Sequence, residues 1–504
     1  MPRRNVPPES LELTSEQMRD MVDRAMDRIV PWIETIGEQP MHRLDKAHKL
    51  ARALREPLPE GGVSFRRILG QLFERVLPMS LNTAGPGYLA YIPGGGLFHA
   101  AVADLIADAT NRYVGIWAAA PGLVEIESTV IRWFVGMVGF PATGGGVLTS
   151  GGSIANLTAI VTARHTLLGE DFLRGTIYTS PQAHHSVRKA ARIAGFPDAN
   201  VREVPADGAF RLRAAPLEAA LAADRAAGFT PAIVVASAGT TATGAVDPLA
   251  ELADVCARER LWFHVDAAYG GFFQLTDRGR AALAGIERAD SVTLDPHKGL
   301  FLPYGTGGLL VRDRDGLRRA HQVSASYLPP AQADPECWDF ADLGPELSRD
   351  PRGLRVWIPL KMHGAATFRA ALDEKMDLAR DAAARLAALP GVEIVSEPTL
   401  SLFAFRVAPP GVTDPATVDA FGRRVLTGVN ARQRVFLTGV EVDGRHLLRV
   451  CVLSFRTHAA QIDALVEDLG AAIVAARRAS DEGAENGAAP PDPRVAGPDG
   501  AVRT

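Results

Sequence analysis

A chain of 504 residues, 47% hydrophobic and 22% charged, has ordinary globular composition and enough length for a large core in two or more structural units. A formal net charge of −4, with no Lys/Arg cluster interleaved with aromatics, argues against a nucleic-acid partner and for a small molecule. Three scattered cysteines, Cys256, Cys337 and Cys451, suggest neither a disulfide framework nor a zinc site; with no apolar signal core and no run of about 18 apolar residues, the expected location is cytoplasmic, without a membrane partner.

A first helix is predicted over 15–36, where Met18, Met21, Val22, Ala25, Ile29, Trp32, Ile33 and Ile36 share one stripe. Thr14 or Ser15 caps it and Pro31 should kink it. Its apolar face must be buried against something. A second amphipathic helix is predicted over 65–77. The segment GPGYLAYIPGGG (85–96) is too rich in Gly and Pro for regular structure, and its Tyr88 and Tyr91 suit either a pocket wall or a turn with two packing tyrosines. Helices follow from Phe98 to about Asn111, and from Pro121, placed where proline suits a first turn, to Val138.

After that, strands predicted at 146–150, 176–180, 232–237, 262–268, 291–294 and 307–312 alternate with helices from Ser153, His185 and Pro248. Apolar strands separated by helices imply an α/β fold: a mostly parallel sheet flanked by helices, with ligands at the carboxyl ends of the strands. Residues 321–352 form an aperiodic loop of the length that serves as a lid or stays disordered. A long helix over 354–389, interrupted near Gly364, leads to strands at 392–395 and 402–407, a helix over 415–430, a hairpin at Asp443-Gly444 and a closing helix over 459–479. The chain thus divides into an N-terminal helical arm and pocket loop (1–97), a large domain (98–375), a small C-terminal α+β domain (376–479) and a disordered tail (480–504).

The chemistry centres on SVTLDPHKGL (291–300). A buried strand ends at Leu294, Pro296 breaks it, and His297 and Lys298 emerge on a turn. A lysine amine forms Schiff bases with carbonyl compounds once deprotonated, and a crowded, desolvated site lowers its pKa toward that state. Most lysines after a strand are merely exposed, so the other strand ends decide. TSGGSIAN (149–156) offers the N–H groups near Gly151, Gly152 and Ser153, and the Ser153 hydroxyl, to a phosphate, although a plain tight turn has the same pattern. QAHHSV (182–187) has paired histidines without a carboxylate or cysteine at metal spacing, so no metal is expected and His184 suits stacking or capping. SAGTTATG (237–244) is a hydroxyl-rich turn. Asp266 ends a buried strand, and a buried carboxylate requires a cation or strong donor. A phosphate site, a stacking imidazole, a buried carboxylate and a Schiff-base lysine together are what pyridoxal 5′-phosphate (PLP) requires.

The ordered series TSGGSIANL, QAHHSV, AGTTATG, HVDAAYGG and DPHK resembles the group II PLP-dependent amino acid decarboxylases, relatives of the aromatic-L-amino-acid, histidine and glutamate decarboxylases. The resemblance covers most of the chain, from about Tyr88 to the last helix. It implies a fold-type I homodimer with the active site at the subunit interface. It also implies that Lys298 holds the cofactor, that Asp266 faces the pyridine nitrogen and that His184 stacks on the ring. Gly151, Gly152, Ser153, Thr241, Ala268 and His297 complete the implied cofactor set. Tyr91 and the glycines after it, Gly94 among them, match the loop that lines the substrate pocket.

Three departures stand out. Gly299 replaces an aromatic residue and should leave space beside the cofactor. Asp295 replaces an asparagine and is a poor neighbour for phosphate unless it faces a donor, so it stands outside the expected site. Aligned by distance to Arg355-Val-Trp357, Phe340 falls where decarboxylases of this family carry a loop tyrosine that returns a proton to the substrate carbon. Phenylalanine donates no proton, and in the aldehyde synthases that resemble these enzymes such a replacement lets oxygen react instead, giving aldehyde, ammonia and peroxide. The leading expectation is decarboxylation of an aromatic or apolar L-amino acid to amine and CO2, with the aldehyde reaction second. Another PLP lyase, a transaminase or a silent paralogue that serves as a binding protein would keep the same cradle.

Overall fold

The computed structural model describes residues 11–322, 334 and 336–485. Helix Ser15–Glu34 opens with a capping box: the Thr14 hydroxyl accepts from the Gln17 N–H at 3.2 Å while the Gln17 side chain accepts from the Thr14 N–H at 2.8 Å. The helix continues through Pro31, and none of its residues is buried. Met18, Met21 and Val22 stand exposed along it, whereas Trp32 packs edge-on against Phe73 and Ile36, just past the helix, is buried, so the first part of the stripe seen in the sequence is uncovered within the single chain.

Among the described residues, strands β1 (Gly145–Thr149), β2 (Gly175–Thr179), β3 (Val201–Glu203), β4 (Thr230–Ser237), β5 (Trp262–Asp266), β6 (Ser291–Leu294) and β7 (Gly307–Val311) form one sheet in the order β1-β7-β6-β5-β4-β2-β3. The pairs among β2 to β6 are parallel, and β7 runs antiparallel to both its neighbours, β1 and β6. Every residue of β1, β2, β5, β6 and β7 is buried, which is why these strands read as continuous apolar runs rather than alternating ones. Helix Gly152–Leu167 packs across β4 to β7, and helix Pro121–Val138 packs on β1 and β7. The carboxyl ends of β1, β2, β4, β5 and β6 therefore face one edge, where the polar turns follow. β7 begins at that same edge with Gly307, where a Cβ would lie 2.5 Å from the Gly151 backbone. Only glycine permits that approach.

Strands β8 (Val392–Ser396), β9 (Leu402–Val407), β10 (Thr438–Val442) and β11 (Arg445–Cys451) form a separate antiparallel sheet, ordered β10-β11-β9-β8. Val442 pairs with Arg445 across Asp443 and Gly444, whose φ values of 50° and 72° are those of the two-residue hairpin that the sequence announced. Phe403, Phe405, Phe421, Val425, Leu448 and Leu469 fill the core beneath this sheet. The glycine-rich segment 85–96 is pinned to the same unit: Gly87 and Leu89 exchange backbone hydrogen bonds with Phe436, and Leu89 accepts one from Cys451. Its Tyr88 is buried and stacked on Phe436.

The structure differs from the sequence reading in several elements. The short strand β3 and helices Ala214–Ala226 and Arg314–His321 were not anticipated. The long helix, Arg352–Ala387, begins two residues earlier than expected and is broken at Gly364 as the sequence implied, with φ 73° and ψ 156° there. The closing helix reaches Glu485, so residues 480–485 belong to it rather than to a disordered tail. Residues 486–504 lie outside the described residues, as do 323–333 and 335 of the predicted loop. The rest of that loop includes a 3-10 turn at Phe340–Asp342. Among the described residues no helix is long and apolar enough to cross a membrane.

Two substitutions separate packing from backbone effects in the small unit. Phe403→Ala should destabilise the protein by about 3–5 kcal/mol through the cavity it leaves. Gly444→Ala, which only strains the turn, should cost about 1 kcal/mol. Denaturant midpoints of the two variants should fall in that order.

Candidate active site

At the carboxyl edge of the large sheet lies a cavity of about 280 Å³, near the small end of the roughly 300–1,000 Å³ range of ligand sites. Gly151, Gly152, Ser153, His184, Thr241, Asp266, Ala268, His297 and Lys298 all line it. They come from five different strand ends, so the topology alone brings them together.

Pro296 begins a single turn, Pro296–Gly299, directly after β6. On it, Lys298 Nζ meets Asp295 Oδ2 at 2.8 Å, and both side chains are largely buried. Burial pulls the lysine pKa down, yet attraction to Asp295 and the hydrogen bond to it outweigh burial and leave the pKa raised. The lowered value expected from crowding alone is thus reversed by a carboxylate that the sequence reading had placed outside the site. His297 Nδ1 donates to the Thr306 carbonyl at 2.6 Å, and burial holds its pKa below the usual histidine range.

Asp266 is nine-tenths buried. It accepts from Asn156 Nδ2 at 2.9 Å and from the Ala268 N–H at 3.2 Å, and among the described residues no Lys, Arg or His forms an ion pair with it. Asn156 also donates to Ser186 Oγ at 2.9 Å, while its Oδ1 accepts from Thr293 at 2.6 Å and from His264 Nε2 at 3.1 Å. Ser186 in turn bonds His184 Nδ1 at 2.8 Å, and its own N–H also points to that nitrogen. His184 Nδ1 is therefore an acceptor, which puts the proton of the neutral ring on Nε2. Burial lowers the His184 pKa and favours that neutral ring. Neither Asn156 nor Ser186 was singled out from sequence. The only signal was a polar residue one turn into a helix that the sheet covers.

The helix after β1, Gly152–Leu167, has no side-chain cap; the Gly151 N–H turns back to the Thr149 hydroxyl at 3.4 Å, and the N–H groups of Gly152 and Ser153 are left for whatever occupies the cavity. Helix N-termini of this kind favour anions.

Four sequence-predicted positions lie elsewhere. Phe340 is buried in the large core, packed edge-on against Trp338 and under the Arg349 guanidinium, with the adjoining Ala341 bonded to Gly115. It does not line the cavity. Tyr91 is partly exposed, at φ 49°, with the Arg449 guanidinium 6.0 Å from its ring centre. Gly94 donates its N–H to the Tyr304 hydroxyl at 3.2 Å. Gly299 does not open space beside Lys298: a Cβ there would lie 2.6 Å from Phe272 Cβ, so the residue is small because Phe272 packs on it. Sequence reasoning also missed Arg449, a buried guanidinium that donates to the Thr241 carbonyl while its Nε and Nη2 have no hydrogen-bond partner. Tyr327, the single tyrosine of 321–352, lies outside the described residues.

The pyridoxal-dependent decarboxylase conserved domain matches residues 48–408. The chain belongs to the pyridoxal-dependent decarboxylase family. It is 34% identical over 450 residues to an aromatic-L-amino-acid decarboxylase of Bacillus atrophaeus, covering 89% of this chain and 94% of the relative. It is also 28% identical over 458 residues to a phenylacetaldehyde synthase of Arabidopsis thaliana, covering 87% of this chain and 92% of that one. The crystal structure of Oryza sativa TDC with PLP and tryptamine superposes with a TM-score of 0.88 at 29% identity, covering 92% of this chain and 99% of that one.

The cofactor of this family is PLP, and the residues present fit it. The cavity supplies an amine for its aldehyde, a buried carboxylate lacking a protein cation for its ring nitrogen, and uncapped N–H groups for its phosphate. Lys298, Asp266 and Gly151–Ser153 would hold those three parts.

The buried network carries a pH signature. Burial holds His264 neutral, with a pKa pushed down to about 4, against about 6.5 in an unfolded chain. Between those values the unfolded chain binds more protons, so stability should be lost as pH falls from about 6.5 toward 4. Unfolding midpoints measured across that window should show the slope, and His264→Asn, which has no proton to gain, should flatten it.

Proposed function

We propose that this protein removes CO2 from an aromatic L-amino acid and releases the corresponding amine. The observation that carries the reading is the convergence of Lys298, Asp266, His184 and the Gly151–Ser153 turn on one buried cavity. Bound there, PLP supplies an electron-poor ring that accepts the electron pair left behind by the departing carboxylate. The protein's part is positional and electrostatic. Lys298 anchors the cofactor, and the Asp266 carboxylate, oriented by Asn156, keeps a proton on the ring nitrogen so that the ring stays electron-poor. His184, fixed as the Nε2-H tautomer by Ser186, would lie against the ring face, and burial would exclude water.

The aromatic substrate class is supported by the Bacillus relative. The expectation from sequence rested on a pocket loop with no cation to meet an acidic side chain, and Arg449 beside Tyr91 weakens that argument. The aldehyde reaction is the second reading, favoured by the synthase among the relatives. Its residue-level support has moved, because Phe340 packs against Trp338 and Arg349, and the only tyrosine that the loop sequence offers for proton return is Tyr327.

A second copy of the chain fits the uncovered apolar faces. Met18, Met21 and Val22 of the arm and Val102, Leu105 and Ile106 of helix Phe98–Thr110 are exposed in the single chain. We therefore assign a homodimer with the cavity at the interface. Three free thiols suit a cytoplasmic location.

Products from a mixture of amino acids, identified by mass spectrometry with and without oxygen, should be an aromatic amine and CO2 with no oxygen uptake. Aldehyde with peroxide from the unmodified enzyme would establish the second reading. Tyr327→Phe should move product from amine toward aldehyde. Lys298→Ala should release no CO2 and leave no cofactor attached after borohydride reduction, and normal turnover by that variant would sink the proposal. Light scattering should return twice the chain mass, whereas an active monomer would overturn the dimer.

A further inference from the structure

Asp295 is the N-cap residue of the turn Pro296–Gly299, yet its side chain makes no capping bond. It reaches instead to Lys298 Nζ, three residues on, at 2.8 Å. The carboxylate is only 2% exposed. The space it occupies is made by glycines: a Cβ on Gly152 would lie 3.0 Å from Oδ2, and one on Gly307 would lie 2.8 Å from Oδ1. Oδ1 has no hydrogen-bond partner. A well-packed carboxylate with one oxygen on an ammonium and the other unpaired has spare capacity for a proton.

The other charged groups around the pair do not take over this role. His297 Nε2 stands 3.7 Å from Oδ2, and its Nδ1 is committed to the Thr306 carbonyl. Asp266 and His184 line the same cavity but are held by Asn156 and Ser186. Arg355 is bonded to Asp104, Gly305 and Thr306, and Cys451 is a buried thiol whose pKa burial raises.

We propose that Asp295 is the positioning residue of Lys298: it holds the free lysine as an ion pair at the floor of the cavity and accepts the proton that Nζ must lose before it attacks a carbonyl. This rests on Lys298 being the cofactor anchor. In the exchange, one of the three Nζ protons passes to Asp295. The freed electron pair bonds to the carbonyl carbon, the carbon–oxygen bond breaks, and oxygen leaves as water with the remaining two protons. An asparagine, which many proteins of the resembling family carry at this place, has no such proton affinity.

The test reads Lys298 in the full chain freed of cofactor, so that it stands apart from any question of anchoring. Acetic anhydride labels unprotonated amines, and mass spectrometry of the Lys298 peptide gives its labelling rate against pH. In the unmodified protein Lys298 should label slowly at neutral pH. Asp295→Asn keeps the shape and removes the charge, and it should raise the rate at pH 7 by about tenfold or more and move the whole profile to lower pH. PLP capture by the same variant, followed by absorbance, should shift its pH profile to lower pH in parallel. Buried Lys375, bonded to Glu374 and the Thr457 carbonyl, is the internal control for folding. If Asp295→Asn exposes it, Asp295→Ser is read instead. Unchanged profiles in a folded variant would overturn the proposal. So would an unmodified Lys298 that labels at pH 7 as fast as exposed lysines. Failure of borohydride to attach cofactor to Lys298 would instead remove the anchor reading while leaving the labelling result intact.

Discussion

The Asn156 amide is the tie on which the site's geometry depends. Its two N–H groups go to Asp266 and Ser186, and its oxygen accepts from Thr293 and His264, so its bonding capacity is used in full within the protein. Those partners come from β5, β6 and the first turn of helix Ser186–Ile193 after β2. The network also sets proton positions. Trp262 donates to Ser291, which leaves the Ser291 hydroxyl proton for His264 Nδ1 and the His264 Nε2-H for Asn156. On the other side, Ser186 passes its proton to His184 Nδ1. A chain of donors thus runs from the sheet interior to the ring facing the cavity, and each bond left unmade in such a buried place would cost about 1–3 kcal/mol.

Much of this was legible in the sequence because buried parallel strands have a blunt signature. Continuous apolar runs ending in Gly, Ser, Thr or Asp marked five strand ends, and their order together with the resemblance to the decarboxylase family placed nine residues around one cavity. What was missed shares a cause: the deciding neighbour is distant in sequence. Gly299 looked like added space, since nothing in the decapeptide reveals Phe272. Phe340 was reached by counting across an aperiodic loop, where insertions carry no register. β3 is three residues long and helix Ala214–Ala226 is nearly all alanine and leucine on its apolar side, so neither gives a clear period. Asn156 and Ser186 looked like ordinary helix residues. Asp295 was the nearest miss, because an i,i+3 spacing on a turn already puts an acid beside Lys298.

The glycines at the sheet edge and the charge of Asp295 are two sides of one arrangement. Gly151, Gly152 and Gly307 let β7 and the helix after β1 close to within backbone distance, and the remaining gap is filled by a carboxylate. That carboxylate would be ill placed next to a phosphate at the same helix N-terminus, were it not neutralised by Lys298. Once Lys298 is joined to a carbonyl through a deprotonated nitrogen it no longer supplies an ammonium charge, and an unpaired buried carboxylate costs several kcal/mol. In the proposed exchange, the proton passed from Lys298 to Asp295 removes that cost. The pair is electrically neutral both when the lysine is free and when it is bound and the carboxylate protonated, so the floor of the cavity need not admit water or a counterion between the two states. An asparagine there would be neutral throughout and would leave the buried lysine to lose its proton by desolvation alone. The acid in this chain exchanges that passive route for a coupled one.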